Sequence, residues 1–92
     1  GLPAPTTQLV VRDEHGRYVR RIDMAWEQFK VGAEYDGELH LTSRKTYAND
    51  VLVARVLQRL HWHVIHVIKE DRRCDIVDEA RAALLARGWV PE

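Results

Sequence analysis

Cysteine is nearly absent from this chain of 92 residues, in which Cys74 stands alone. A lone cysteine excludes an internal disulfide and is typical of a reducing compartment, which predicts a cytoplasmic location. Long apolar runs are absent too: none approaches the roughly 20 residues of a membrane-spanning helix, so no membrane partner is expected. The chain also lacks an excess of positive charge, with 14 basic and 14 acidic residues, whereas nucleic-acid-binding proteins are usually basic.

What the chain does contain is typical of one small globular domain. Apolar residues make up 46% of the sequence and charged residues 30%, a balance that argues against intrinsic disorder. The length allows a single domain over residues 1–92, and the opening GLPAPTT, which lacks methionine, predicts a fragment of a longer protein. The charges are clustered, as at Arg20 with Arg21, so a neutral chain can still present a basic surface beside an acidic pocket.

Apolar alternation and helical periodicity predict six secondary-structure elements. These are three strands, a helix, a strand and a final helix, at 8–12, 18–26, 31–37, 47–60, 61–68 and between an Asp75 N-cap and Gly88. The helix between two strands is a crossover long enough to make those strands parallel. The predicted class is therefore α/β, with a mixed sheet of order β-β-β-α-β-α and helices packed on it.

Three carboxylates fall close together in the predicted hairpin of the second and third strands. Pairing these strands through the link EQFK places Asp23 opposite Glu34 and Asp36 opposite Arg21. Strict alternation then puts all three acids on one face of the sheet. Two carboxylates about 5 Å apart repel by about 3 kcal/mol at an effective dielectric constant near 20, so the fold needs some compensation. A metal ion, a raised pKa on one acid, or the Arg21 guanidinium would each supply it.

The residues themselves leave two interpretations of this cluster open. In one, Asp23, Glu34 and Asp36 bind magnesium, which prefers carboxylate oxygens and completes its shell with water and phosphate. In the other, Asp36-Gly37 is an ordinary turn and Arg21 pairs with Asp36. His40 at the end of the strand is then either solvated or positioned to deprotonate a water molecule.

A resemblance to a known family rests on the runs RIDMAW and KVGAEYDGELH, the helix that carries Asp50 and Leu57, and Trp62 before the next strand. Together these resemble a family of small bacterial domains related to the very-short-patch-repair endonucleases, within the PD-(D/E)XK superfamily. The resemblance implies a restriction-endonuclease-like α/β core that binds Mg²⁺ (or Mn²⁺) as a cofactor. It also implies hydrolysis of phosphodiester bonds in DNA. The first helix usual in that core is not in the sequence.

The resemblance also implies roles for individual residues. Asp23 matches the motif aspartate, Glu34 the second acid, and Asp36 the place of the motif lysine, which is therefore missing. His40 matches the histidine of the family and is the candidate general base. The sequence departs from the family at Val53, where a basic residue is common, and at His61, where glycine is common. These departures bear on catalysis more than on the fold.

Several alternatives remain for function and partners. Arg44 and Lys45 either hold a DNA phosphate or belong to a solvated loop. The histidines at 61, 63 and 66 with Cys74 lack the spacing of a structural zinc site. The domain is accordingly predicted to be a metal-dependent DNA endonuclease, with homo-oligomerisation or a fused upstream DNA-binding region as further expectations. The alternatives are a catalytically inactive nuclease-fold module that binds nucleic acid or protein within a larger regulator or antitoxin-like protein, and a purely structural interaction domain.

Overall fold

A computed structural model describes residues 1–37 and 44–92. The elements are β1 (Thr6–Arg12), β2 (Tyr18–Trp26), β3 (Val31–Gly37), α1 (Arg44–Arg59), β4 (His63–Ile68) and α2 (Arg73–Ala86). The four strands form one sheet in the order β1-β2-β3-β4, in which β3 and β4 are parallel and the other neighbours are antiparallel. The predicted element order and the parallel pair are confirmed. Neither described helix is long and apolar enough to cross a membrane.

Two buried clusters lie on the sheet. The cluster that includes α2 contains Trp26, Val31, Ala33, Ile65, Ala80 and Leu84. The cluster that includes α1 contains Val11, Ile22, Ala25, Leu57 and Trp62. β3 contributes Val31 and Ala33 to the α2 cluster, and the alternation of β4 sends Ile65 to the α2 cluster and Val64 to the α1 cluster.

The N-terminal segment is fixed to the α2 side of the sheet. Leu2 packs against the cluster around Trp26, and the Trp26 indole Nε1 donates a hydrogen bond of 2.7 Å to the Pro3 carbonyl. A buried tryptophan needs such an acceptor, since its indole N–H would otherwise lose its water without replacement. The residues before β1 are therefore part of the packed structure.

The predicted strict alternation through β2 is wrong. Ile22 and Ala25 belong to the same buried cluster, although an uninterrupted strand would direct them to opposite faces. The break falls at Asp23: the β1–β2 pairing passes from Thr7–Met24 to Leu9–Ile22 without a Gln8–Asp23 pair. Gln8 there has a left-handed φ of 54°. Such a conformation interrupts the pleat that alternation requires.

The start of α2 also differs from the prediction. Arg72, rather than Asp75, occupies the N-cap position, and Asp75 lies in the first turn. The Arg72 Nε donates to Asp75 Oδ2 at 2.9 Å, so the carboxylate pairs with the cap residue and also lies near the positive end of the helix dipole. The other end follows the prediction, because Gly88 comes directly after the Arg87 C-cap with a φ of 101°.

Candidate metal centre

The parallel pairing of β3 with β4 builds the centre of the site. Glu34 is paired with His66 across the two strands, which makes them lateral neighbours. The pairing then shifts between Tyr35 and Gly37, leaving Asp36 as the extra residue on β3. Bulges of this kind redirect a side chain. Here the result is that Glu34, Asp36 and His66 present their polar atoms to one another.

The distances within this Glu34–Asp36–His66 cluster are short. The imidazole Nδ1 of His66 lies 3.2 Å from Asp36 Oδ2 and 4.0 Å from Glu34 Oε2. One potential ligand atom from each residue lies within 4.8 Å of the others. Within residues 1–37 and 44–92, no other group of histidine, cysteine or acidic side chains meets this condition, so the zinc alternative with Cys74 is not assembled there.

Glu34 is the buried member of the cluster. The residue is only 8% exposed, and its Oε1 is buried without a hydrogen-bond partner. Burial raises the pKa of the Glu34 carboxyl above its ordinary value, and the nearby Arg20 and His66 only partly offset that effect. Asp36 and Asp23 raise the pKa further by charge repulsion. A buried carboxylate with an unpaired oxygen is costly, which makes it a group that a cation would stabilise.

Arg20 supplies the guanidinium beside this carboxylate. Its Nη1 donates to Glu34 Oε2 at 3.3 Å, and its Nη2 donates to Asp50 Oδ1 at 3.2 Å. Asp50 lies on α1, so Arg20 joins the sheet to the helix above it. The predicted alternative paired Arg21 with Asp36. Among the described residues, the ion pair of Asp36 is instead with His66, and Arg21 is exposed.

An open groove of about 1320 Å³ runs between α1 and the sheet past these side chains. Its lining combines the acidic residues with three cations, Arg20, Arg21 and Lys69. Tyr35 and Tyr47 also line the groove, and both are more than half exposed. A phosphate ester entering here would meet cations and aromatic faces beside the carboxylates, a combination used in nucleic-acid binding.

The other predicted site residues have separate positions. Asp23 lies at the groove, but its Oδ2 accepts the Tyr35 backbone N–H at 2.9 Å and it is outside the Glu34–Asp36–His66 cluster. Arg44 and Lys45 lie in the first turn of α1, where the Arg44 guanidinium is 5.4 Å from the centre of the Tyr47 ring. His40 lies outside the described residues, so its predicted role as base stays a prediction.

Sequence reasoning missed His66 and Arg20 as members of the site. For His66 the usable signal was the parallel pairing of the strands at 31–37 and 61–68, which makes one histidine a neighbour of Glu34. The sequence does not fix the register, however, and three histidines occur in that stretch. For Arg20 no sequence signal was available, because its orientation depends on the break at Asp23 described above.

Comparisons with known proteins relate the chain to two proteins of Mycobacterium tuberculosis, both described as uncharacterized, from strains CDC 1551 / Oshkosh and ATCC 25618 / H37Rv. Each is 31% identical over 74 residues, which is 79% of this chain. The chain spans only 27% of the length of either relative. No protein-family model matches the chain. No solved structure matches it either.

Proposed function

We propose that this domain is a metal-dependent phosphodiesterase that cleaves DNA, built on a restriction-endonuclease-like core. The observation that carries the proposal is the Glu34–Asp36–His66 cluster, which lies towards the carboxyl ends of two parallel strands. In open α/β sheets, ligands bind at this end of the strands. The order of Asp23, Glu34 and Asp36 in the sequence, which resembles the motif order of the very-short-patch-repair endonucleases, supports DNA as the substrate.

The donor set fits a divalent cation. Two carboxylates and an imidazole converge, and Glu34 Oε1 is buried without a partner. Glu34, Asp36 and His66 would hold the ion, for which Mg²⁺ or Mn²⁺ is the expected identity. When bound, such an ion lowers the pKa of a water molecule and neutralises charge on the phosphate.

The remaining groups position the substrate and the site. Arg21 and Lys69 line the groove and are the cations proposed to bind phosphate oxygens, whereas Arg20 is held by Glu34 and Asp50. Asp23 holds β3 in position through its hydrogen bond from the Tyr35 backbone N–H, and in this way it orients the neighbouring Glu34. His40, the predicted base, follows β3 in the chain.

The test uses the full-length protein with supercoiled, linear and mismatched DNA, each with magnesium, manganese or a chelator. We expect cleavage that depends on the metal and is lost in Glu34→Gln. The matched control is Glu27→Gln, which makes the same chemical change at an exposed residue outside the groove. His40→Ala should reduce cleavage while leaving metal binding in place. Equal cleavage by the Glu34→Gln and Glu27→Gln variants would overturn the proposal.

A second candidate, the inactive nuclease-fold module that binds nucleic acid, is favoured by one observation. The chain already places a positive or protonatable group on each clustered acid, with Arg20 on Glu34 and His66 on Asp36. A metal is then not required for the fold. This candidate predicts DNA binding that weakens steeply with salt, without cleavage in any divalent metal. Cleavage lost in Glu34→Gln would exclude it.

A further inference from the structure

The imidazole of His66 is placed as a ligand rather than as a distant neighbour. Its Nδ1, and not Nε2, is the atom in contact with Asp36 and Glu34. His66 is in β4, and its pairing with Glu34 comes from the backbone ladder rather than from a loop. A donor held on a regular strand keeps its position with little loss of freedom when a ligand binds. The side chain is half exposed and lines the groove.

The separations match those of donors on one ion. Two donors about 2.1 Å from a cation lie about 3.0 Å apart at a right angle and about 4.2 Å apart on opposite sides. The separation of Nδ1 from Asp36 Oδ2 is 3.2 Å, and that from Glu34 Oε2 is 4.0 Å. Both separations from Nδ1 therefore fall in the range for donors on one ion, and the donor atoms of all three residues lie within 4.8 Å of one another.

Glu34 provides a second observation that points to a ligand at the same place. Its side chain is nine-tenths buried, and its Oε1 lacks a hydrogen-bond partner although Oε2 accepts from Arg20. Oε2 is the oxygen that lies near His66, at 4.0 Å, and the unpaired Oε1 belongs to the same carboxylate. A cation bound to this carboxylate would offset the cost of burying it with one oxygen unpaired.

We infer that this cluster selects a first-row transition-metal ion, of the kind represented by Mn²⁺ and Zn²⁺, over Mg²⁺, and that His66 Nδ1 makes the selection. Mg²⁺ prefers oxygen donors in a near-ideal octahedron and gives up its water reluctantly. Imidazole nitrogen suits Zn²⁺ well, and Mn²⁺, although it is the weakest binder of the first-row series, accepts a nitrogen ligand more readily than Mg²⁺ does. The inference deepens the proposed function and rests on its metal site.

The test measures metal binding without DNA, so its outcome is independent of cleavage. Manganese binding to the full-length protein is followed by electron paramagnetic resonance, with magnesium and zinc as competitors, and thermal melts give a second reading. We expect the parent to bind manganese about tenfold or more tightly than magnesium. His66→Gln should remove most of that preference, and His66→Asp, which makes all donors oxygen, should move it towards magnesium. His63→Gln, on the same strand and outside the cluster, is the control.

A measurement on the parent protein guards against a variant that fails to fold. In a nuclear magnetic resonance titration, manganese should broaden the side-chain nitrogen signals of His66 at lower concentration than those of His15. His15 lies in the turn between β1 and β2, outside the cluster. Equal affinity of the parent for manganese and magnesium, or a preference unchanged in folded His66→Gln, would overturn the inference. In that case metal-dependent cleavage lost in Glu34→Gln would leave the proposed function standing. Absence of both metal binding and cleavage would overturn both.

Discussion

The substitution Gly32→Ala tests the break in β2 that brings Arg20 beside Glu34. A Cβ atom at Gly32 would lie 2.9 Å from Ile22 Cγ2, 3.3 Å from Ile22 Cδ1 and 3.5 Å from the Met24 carbonyl oxygen. The closest of these atoms cannot move aside easily, because Cγ2 is attached directly to the Cβ of a β-branched residue and moves only with χ1 or the backbone. Ile22 is fully buried, so it has no solvent space to enter.

The expected effect is the difference between two terms. Overpacking of a tight core costs about 1–3 kcal/mol. Replacing glycine by alanine within a strand recovers about 0.5–1 kcal/mol through the lower entropy of the unfolded chain. We therefore expect a net loss of about 1–2 kcal/mol, and for a domain of this size a fall in the melting temperature of about 5–15 °C.

Ile22→Leu provides the partner for a double-mutant cycle, since leucine has no methyl group at the position of Cγ2. We expect the double variant to be less destabilised than the sum of the two single variants, by about 1 kcal/mol, in urea unfolding followed by circular dichroism. If Gly32→Ala is stabilising and the two changes are additive, then Ile22 does not face Gly32. Unbroken alternation would then place Arg21, and not Arg20, beside Glu34.

Three other measurements test groups around the site and the sheet. Because burial raises the pKa of Glu34, the folded state takes up a proton at a higher pH than the unfolded state does. The stability of the metal-free protein should therefore rise as the pH falls from 7 through that raised pKa towards 4.5. In thermal melts with chelator, Glu34→Gln should flatten this rise. Arg20→Ala should lower the free energy of unfolding in urea by about 1–3 kcal/mol at pH 7, because it leaves the buried Glu34 carboxylate unpaired. The loss should be smaller at pH 5, where more of this carboxyl is protonated, and an equal loss at both pH values would contradict the prediction. Trp26→Phe should lower stability by at least about 1 kcal/mol in thermal melts, because it removes the hydrogen bond to Pro3 together with buried ring volume, and no change would show that neither adds to stability.

The secondary structure was predictable because the decisive patterns are local. The segments at 18–26 and 31–37 end where the strands end, since turn residues and the short link EQFK mark their limits. The parallel pairing of β3 with β4 followed from the length of the crossover between them. The start of α2 was missed because cap preferences are small, and a carboxylate in the first turn stabilises a helix in nearly the same way as one at the cap.

The side-chain arrangement of the site depends on non-local geometry, which local patterns do not contain. Which arginine meets Glu34 depends on the break in alternation at Asp23, opposite Gln8 with its left-handed φ in the neighbouring strand, and nothing in the sequence of β2 signals that break. Which histidine meets Glu34 depends on the register of two strands separated by a helix. Glu34 and Asp36 were predictable as neighbours because residues two apart on one strand share a face, although the bulge at Asp36 was not predicted.

The charges of the site explain why a cation would still be stabilised there, although the protein itself already reduces the repulsion among the clustered carboxylates in two ways. The sequence predicted that the clustered acids need a metal ion, a raised pKa or an arginine. Two of these are found. Burial raises the pKa of the Glu34 carboxyl, and an arginine pairs with it, although this arginine is Arg20 and not the predicted Arg21. Arg20 is shared, however, because it also pairs with Asp50. Glu34 and Asp50 share the one guanidinium of Arg20, and Asp36 contacts the His66 imidazole. A cation at the cluster would offset the charge that this shared arginine leaves on Glu34 and the charge on Asp36. For this reason charge balance favours a metal ion over a purely internal network at this place in the fold.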